Sequence, residues 1–331
     1  MPFNMVRIGV LGAGHLGRIH IKLIKEIETL ELVGFYDPDP ENAKKAASDY
    51  NCRAFDSIEA LIAEVDAVDI VTPTLSHYDC ARIALKNTRH IFVEKPLANT
   101  VQEARDIHNL AKEAGIKAQV GHVERFNPAF LAVKDKALKP MFIESHRLSY
   151  FNPRGTDVSV VLDLMIHDID IILHLVRSTV KKVHASGVAV ISDKPDIANA
   201  RIEFDNGCVA NLTASRISLK VMRKMRLFQK DAYISIDFAE KEAEIFSLTD
   251  TKENEDALTI EVNTGGVYQE RAIRLEKPEI HPVNAIKMEL ELFAASIIED
   301  KDPPVTVADG FYALEVAHQV LEKINKNKMK G

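Results

Sequence analysis

The sequence predicts an α/β protein in two parts: an N-terminal doubly wound parallel sheet, then an α+β domain built on a large open mixed or antiparallel sheet. Three observations carry this reading. Short β-branched runs alternate with amphipathic helical stretches through the first third of the chain, the pattern of βαβ units. A glycine-rich turn, Gly12-Ala13-Gly14-His15-Leu16-Gly17, sits between the first such run and the first helix. From Val180 to about Leu275, strand-like runs follow one another with turn signals and no intervening helix, which implies antiparallel neighbours.

In order, the candidate strands of the first part are Val6–Leu11, Leu32–Tyr36, Ala67–Val71, His90–Val93 and Lys117–Gly121, and about six strands with crossover helices make a doubly wound sheet. The helices between them start at recognisable caps: Asp39 before Pro40, Ser57 before Ile58, and Thr100 with Glu103 three residues on. After Gly121 the texture changes, with helices expected near Pro128–Leu138 and Val160–Val176 before the strand series. Within that series Asp205-Asn206-Gly207 turns Ala200–Phe204 back onto Cys208–Ala214. Two helices close the chain, Val283–Glu299 and Asp309–Lys326, separated by Pro303-Pro304. The domains expected are 1–122 and 123–331, with the closing helices at 283–326 able to pack back on the first.

Composition narrows the partners. The 331 residues carry 42 Lys+Arg against 49 Asp+Glu, a net charge of −7, and lack a long basic run. That argues against nucleic acid or an anionic membrane and for a small molecule. Cys52, Cys80 and Cys208 are scattered, without C-x-x-C or a nearby His pattern, so neither a disulfide framework nor a metal site is indicated. The N-terminus lacks the apolar core and cleavage site of a signal peptide, and no stretch reaches the ~18–20 apolar residues of a bilayer span. A cytoplasmic protein is expected.

In the glycine turn, Gly12 serves the tight bend, Gly14 lets a pyrophosphate approach the backbone, and Gly17 lets the helix pack on the strand. The helix that follows, expected at Ile19–Ile27, points its N-terminus at the phosphates. This is the fingerprint of a Rossmann dinucleotide-binding domain. About 20 residues past Gly17 the second strand ends in Asp37, placed to accept hydrogen bonds from ribose hydroxyls. A carboxylate there repels a 2′-phosphate, and Asp37-Pro38-Asp39 offers no Arg to receive one. The cofactor expected is therefore NAD, with NADP disfavoured.

Two further constellations carry chemistry. Glu94-Lys95-Pro96 follows the strand His90–Val93, at the carboxyl end of the sheet where open α/β folds bind ligands. Asp163-Leu164-Met165-Ile166-His167 lies in an otherwise apolar helix, with the acid and the imidazole at i, i+4 on one face. Such groups are costly to bury beside Leu162 and Ile166 without partners or a task. A polar network at a domain junction is the structural alternative.

Together with Thr72-Pro73-Thr74-Leu75-Ser76-His77, these motifs resemble the glucose-fructose oxidoreductase, inositol dehydrogenase and MocA-type (Gfo/Idh/MocA) sugar oxidoreductases over essentially the full length. The resemblance implies hydride transfer between a sugar ring secondary alcohol and nicotinamide, with Lys95, Asp163 and His167 in catalytic positions and a cis Lys95–Pro96 bond. It assigns the cofactor to Gly12, Gly14, His15, Leu16, Gly17, Asp37, Thr72, Pro73, Thr74, His77, Glu94 and Lys95. Where the family commonly reads Asp-x-Gly-x-His, this chain has Met165, which bears on the substrate pocket more than on the reaction. Val120-Gly121-His122-Val123-Glu124-Arg125-Phe126-Asn127-Pro128 resembles the nucleotide-sugar members, implying a UDP-N-acetylglucosamine-like substrate oxidised at its 3-hydroxyl. The substrate-binding residues expected are then Lys95, Glu124, Arg125, Asn127, Arg154, Asp163 and His167. Free sugars or inositols are the alternative substrates, and a non-catalytic NAD-binding redox sensor is the alternative of another class. The resemblance also implies a homodimer or homotetramer formed through the C-terminal sheet.

Overall fold

A computed structural model describes residues 5–136, 138–152, 158–250, 258–264 and 267–328. The chain divides into two compact units: the residues up to Phe126 with Asn284–His318, and Asn127–Val283 with the residues from Gln319 onward.

The first unit is built on five parallel strands, β1 (Val6–Leu11), β2 (Leu30–Tyr36), β3 (Ala67–Ile70), β4 (His90–Glu94) and β5 (Ala118–Gly121), in the order β2-β1-β3-β4-β5. That is one strand fewer than the six or so expected. Crossover helices α1 (His15–Ile24), α2 (Pro40–Tyr50), α3 (Ile58–Ala63), α4 (Thr74–Lys86) and α5 (Val101–Ala114) join them. The predicted caps form. Asp39 accepts from the N–H of Glu41 and Asn42, Ser57 from Ala60, and Thr100 and Glu103 cap one another. All four residues of β3 are buried, as a strand covered on both faces requires.

In the second unit, α6 (Pro128–Lys134) is followed by β6 (Phe142–Leu148), a π-helical turn over Val161–Met165 that runs on into α7 (Ile166–Val176), and eight further strands. These are β7 (Val180–Val188), β8 (Ile197–Phe204), β9 (Val209–Ser215), β10 (Met222–Gln229), β11 (Ala232–Asp237), β12 (Glu242–Thr249), β13 (Thr259–Thr264) and β14 (Val267–Glu276). The nine strands form one sheet in the order β13-β14-β12-β11-β10-β6-β9-β8-β7. All pairings are antiparallel except β6 with β9, so the sheet is mixed. The expected β8–β9 hairpin forms, with Gly207 at φ 87° in its turn.

Strand β6 escapes the sequence pattern for a physical reason: its buried positions are Ile143, Ser145 and Arg147, so it lacks the apolar alternation that marks a strand. Along β8 and β9 one face is apolar and buried, through Ala198, Ala200, Ile202, Phe204, Ala210, Leu212 and Ala214. The other carries Asn199, Arg201, Glu203, Asn211 and Thr213.

Two helices end the chain, α8 (Ala285–Ile298) and α9 (Val307–Lys328). Leu290, Phe293 and Ala294 of α8 are fully buried in the core formed with β1 and α1, and the Phe293 ring meets Phe92 of β4 edge-on at 5.9 Å. The first compact unit ends at Phe126 and takes in Asn284–His318 as well.

Candidate active site

Within the first unit, the loops at the carboxyl ends of the strands carry the expected cofactor residues. Gly12 has φ 95°, and a Cβ on it would sit 2.8 Å from the Val71 carbonyl oxygen, so the close approach of the loop after β3 requires glycine. A Cβ on Gly17 would lie 2.0 Å from the Gly12 carbonyl oxygen, so a side chain there would lift α1 off the turn. Gly14 differs: it is exposed, and nothing lies within 4 Å of its Cβ position. It begins α1 with no side-chain cap and no acid in the first turn, so the N–H groups of that turn are offered to an anion. His15 beside it is exposed and Leu16 half-buried. This bare, open cradle fits a dinucleotide pyrophosphate.

Asp37 lies next to it at the end of β2, accepting from Ala13 N (2.7 Å) and Asn42 Nδ2 (2.8 Å) through Oδ2 and from Asp39 N (3.0 Å) through Oδ1. Arg18 reaches the same corner from α1, donating Nε to the Ala13 carbonyl (3.0 Å) and Nη2 to Asn42 Oδ1. No Arg stands beside Asp37 in the sequence; the fold brings one from the neighbouring helix.

The loop after β3, Thr72-Pro73-Thr74, enters α4 with Pro73 as its cap. His77, one turn in, is buried, its ring nitrogens 2.8 Å from the carbonyl oxygens of Thr72 and Pro96. Its ring thus ties this loop to the Glu-Lys-Pro turn. There the Lys95–Pro96 bond is cis, Lys95 is half-buried, and Lys95 N donates to Glu94 Oε2 at 3.2 Å.

Behind this turn lies a buried polar cluster that no sequence motif announces. His20 of α1 sits 2.9 Å from Asp69 Oδ2 through Nδ1 and 3.4 Å from Glu94 Oε1 through Nε2. Glu289 of α8, fully buried, is close enough to Glu94, His20 and Asp69 to feel their charges. Two signals of it stand in the sequence: a carboxylate inside the apolar strand Ala67–Ile70, and an imidazole on the apolar face of α1.

In the second unit, Asp163 lies in the π-helical turn and His167 in the first turn of α7, both half-buried. Helical irregularities of this kind concentrate at functional sites. Met165, the departure from the family motif, is fully buried. Two buried ion pairs brace this segment. Arg147 of β6 grips Asp168, the residue after His167, through Nε (3.1 Å) and Nη2 (2.8 Å). Arg216 binds Asp196 at 2.9 Å and donates to the Val158 carbonyl at 2.7 Å, two residues before Val160, which donates to the Pro195 carbonyl.

Of the other expected substrate residues, Glu124 and Arg125 are buried in the first unit, with Arg125 3.7 Å from Asp309 of α9. Asn127 caps α6 through Ala129 N and donates to the Phe238 carbonyl. Arg154 lies outside the described residues. Among the described residues, no group of His, Cys, Asp and Glu side chains can hold a metal ion, and no helix is long and apolar enough to cross a membrane.

A five-stranded parallel sheet with a glycine cradle, a carboxylate after β2 and an open helix N-terminus defines a dinucleotide-binding domain of the Rossmann type. Comparison with known proteins makes this specific. The NAD-binding Rossmann-fold model of the oxidoreductase family matches residues 6–122, and the model of the family's C-terminal domain matches residues 120–231. The chain belongs to the Gfo/Idh/MocA family of oxidoreductases and uses NAD. UDP-N-acetylglucosamine 3-dehydrogenase of Acidithiobacillus ferrooxidans is 40% identical over 242 residues, 73% of this chain and 77% of that one. Its solved structure superposes with a TM-score of 0.86 over 97% of this chain and 98% of the other, at 34% identity. scyllo-Inositol 2-dehydrogenase (NAD(+)) of Bacillus subtilis is 32% identical over 236 residues, 65% of this chain and 68% of that one. Levoglucosan dehydrogenase in complex with NADH shares the fold at 19% identity, with a TM-score of 0.83 over 97% of each chain.

Proposed function

We propose that the chain is an NAD-dependent dehydrogenase of a nucleotide sugar, oxidising the 3-hydroxyl of a UDP-N-acetylglucosamine-like substrate to the 3-ketone. The observation that carries this is the 40% identity to a UDP-N-acetylglucosamine 3-dehydrogenase across most of both chains. The Glu94-Lys95-Pro96 and Asp163-x-x-x-His167 motifs support it. Bound NAD supplies the hydride acceptor. The substrate loses a hydride from the ring carbon and a proton from the oxygen on it, so the reaction yields ketone, NADH and a proton. An imidazole, whose ordinary pKa is about 6.5, suits receipt of that proton near neutral pH, and His167 is the group assigned. The Lys95 ammonium hydrogen-bonds the same oxygen and stabilises the developing alkoxide. Asp163 binds a neighbouring sugar hydroxyl, and Glu94 a cofactor ribose hydroxyl.

Incubating the purified protein with NAD and, separately, UDP-N-acetylglucosamine, UDP-glucose, free N-acetylglucosamine, glucose and the inositols tests the reading by NADH formation. Turnover of UDP-N-acetylglucosamine and not of the free sugar is expected. Turnover of inositols alone would favour the second reading, which the 32% identity to an inositol dehydrogenase supports. NADH binding without turnover of any sugar would favour a sensor.

The outer face of the nine-stranded sheet is the surface we assign to a homodimer or homotetramer. Phe142, Phe228, Tyr233 and Phe246 form a cross-strand ladder there, with successive ring centroids 6.0, 5.1 and 5.8 Å apart. Cys52, Cys80 and Cys208 are free thiols, which suits the reducing cytoplasm.

A further inference from the structure

We propose that His20 is a positioning residue for the hydride-transfer site: clamped between Asp69 and Glu94, it fixes the Glu94 carboxylate and, through it, the backbone of Lys95. This rests on the reading of Glu94 and Lys95 as cofactor and substrate groups and deepens it. All the groups involved lie in the first unit.

The geometry is a chain of contacts that starts in the core and ends at the turn. Side chains alternate along a strand, so Phe92 and Glu94 share one face of β4, and Asp69 lies opposite Phe92 in the β3–β4 register. α1 packs on that face, and its His20 ring meets Phe92 edge-on at 5.9 Å while Nδ1 hydrogen-bonds Asp69 at 2.9 Å and Nε2 makes a longer ion-pair contact with Glu94 at 3.4 Å. Glu94 then turns its other oxygen to Lys95 N at 3.2 Å.

Packing limits where that carboxylate can go. Gly121 pairs with Glu94 across β4 and β5, and a Cβ on Gly121 would lie 2.7 Å from Glu94 Oε1. The carboxylate therefore rests on bare backbone on one side and on His20 on the other. A glycine at this position is what lets the acid lie flat against the end of the sheet.

Electrostatics gives the imidazole its hold. Three carboxyl groups surround it, Asp69 from β3, Glu94 from β4 and Glu289 from α8. Burial acts to lower the pKa of His20, but Asp69 and Glu94 outweigh it and hold the ring well above its ordinary value, which favours its protonated form. Burial first, and the charge of Glu94 second, push Glu289 well above the usual carboxylate range. The cluster thus sets one imidazole between two carboxyl groups. Removing the imidazole takes away the side chain that both carboxyl groups contact, and Glu94 is then free to leave its site.

The test is a double-mutant cycle on the full-length protein, read as NADH affinity by nicotinamide fluorescence and as kcat and KM on the substrate identified above. Glu94→Gln is expected to weaken NADH binding about tenfold, and His20→Gln by a similar factor. Because His20 acts through Glu94, the double variant should be no weaker than the worse single one. Turnover of His20→Gln should fall in kcat with little change in the KM for the sugar. Asp69→Asn, which loosens the clamp from the far side, should show the same non-additivity with Glu94→Gln, and it carries the test if His20→Gln does not fold. A His20→Gln protein with near-normal NADH affinity and kcat overturns the proposal, as do losses that multiply in the double variant. If Glu94→Gln itself changes neither quantity, the assignment of Glu94 has failed and the proposal falls with it. The affinity arm needs no substrate, so an error in the sugar alone leaves the cycle readable.

Discussion

Arg147 and Asp168 form a forked ion pair inside the second unit, with Nε at 3.1 Å and Nη2 at 2.8 Å from Oδ1 and side chains only 3% and 4% exposed. The Arg147 guanidinium also faces the Phe238 ring at 5.9 Å. One partner sits on the interior strand β6, the other directly after His167, so the pair fastens the start of α7 to the sheet.

A buried pair of this kind adds little over apolar residues of the same size, but breaking it strands a charge. Arg147→Met should therefore destabilise the protein by about 3–5 kcal/mol, while Arg147→Met with Asp168→Leu should recover most of the loss. Urea midpoints of the two variants decide it. Equal losses in the single and double variants would mean that the pair is not the source.

Glu289 should make stability fall with pH. Its pKa is raised in the folded protein by burial first and by the charge of Glu94 second. Above the ordinary carboxylate value of about 4.3 the unfolded chain releases a proton that the fold retains. Stability is then lost as pH rises from there to the folded pKa, at up to about 1.4 kcal/mol per pH unit for one proton. The contribution of His20, whose folded pKa is raised as well, runs the same way but only above its ordinary value of about 6.5. Glu289→Gln should consequently gain stability relative to wild type, and the gain should grow as pH rises above the ordinary carboxylate value of about 4.3. A constant offset across that rise would show that Glu289 is not the titrating group.

The first unit is legible in the sequence because its strands are buried on both faces and read as apolar runs, as in Val6–Leu11, and because caps such as Asp39 and Thr100 act locally. The motifs of its carboxyl edge are equally local. What escapes is chemistry that interrupts the pattern. Asp69 within β3 and His20 within α1 each look like an isolated exception until the fold sets them 2.9 Å apart. Glu289 comes from a helix more than 200 residues away in sequence, and Arg18 approaches Asp37 only through α1. In the second unit β6 hides because Ser145 and Arg147 occupy its inward positions, and the pairing of Arg147 with Asp168 offsets the cost of burying the charge there.

Cofactor choice is expected to involve that same Arg18. A carboxylate at Asp37 would repel a 2′-phosphate by charge, and Asn42 links it to the arginine. Asp37→Ser removes the repulsion and leaves a cation nearby, so kcat/KM for NADP should rise by roughly tenfold or more and that for NAD should fall. In the Asp37→Ser/Arg18→Ala double variant the gain for NADP should disappear. Steady-state kinetics with both cofactors checks this, and a gain that survives loss of Arg18 would exclude its part.

The aromatic ladder on the outer sheet face gives assembly a specific test. Phe228 is 38% exposed between Phe142 and Tyr233. An aromatic row of this kind is a candidate contact surface, and a charge in its centre opposes association. Light scattering should find wild type larger than a monomer and Phe228→Glu shifted toward monomer, with far-UV circular dichroism unchanged. A monomeric wild type at micromolar concentration would refute the surface.

The sharpest expectation concerns Lys95 and His167, assigned to one substrate oxygen. Removing a positioned acid–base group typically lowers the rate by about 10²–10⁴-fold, or roughly 3–5 kcal/mol. Neither side chain belongs to the glycine cradle, so Lys95→Ala and His167→Ala should bind NADH with near wild-type affinity and lose turnover. The two residues belong to different units of the chain, so a shared structural defect is a poor explanation for matching kinetic losses. If both act on the same hydroxyl, the double variant should lose less than the sum of the single losses in free energy, because groups that work as a unit are not additive. Fully additive losses would instead assign them to separate steps. Near-normal kcat for either single variant on the true substrate would remove that residue from the chemistry.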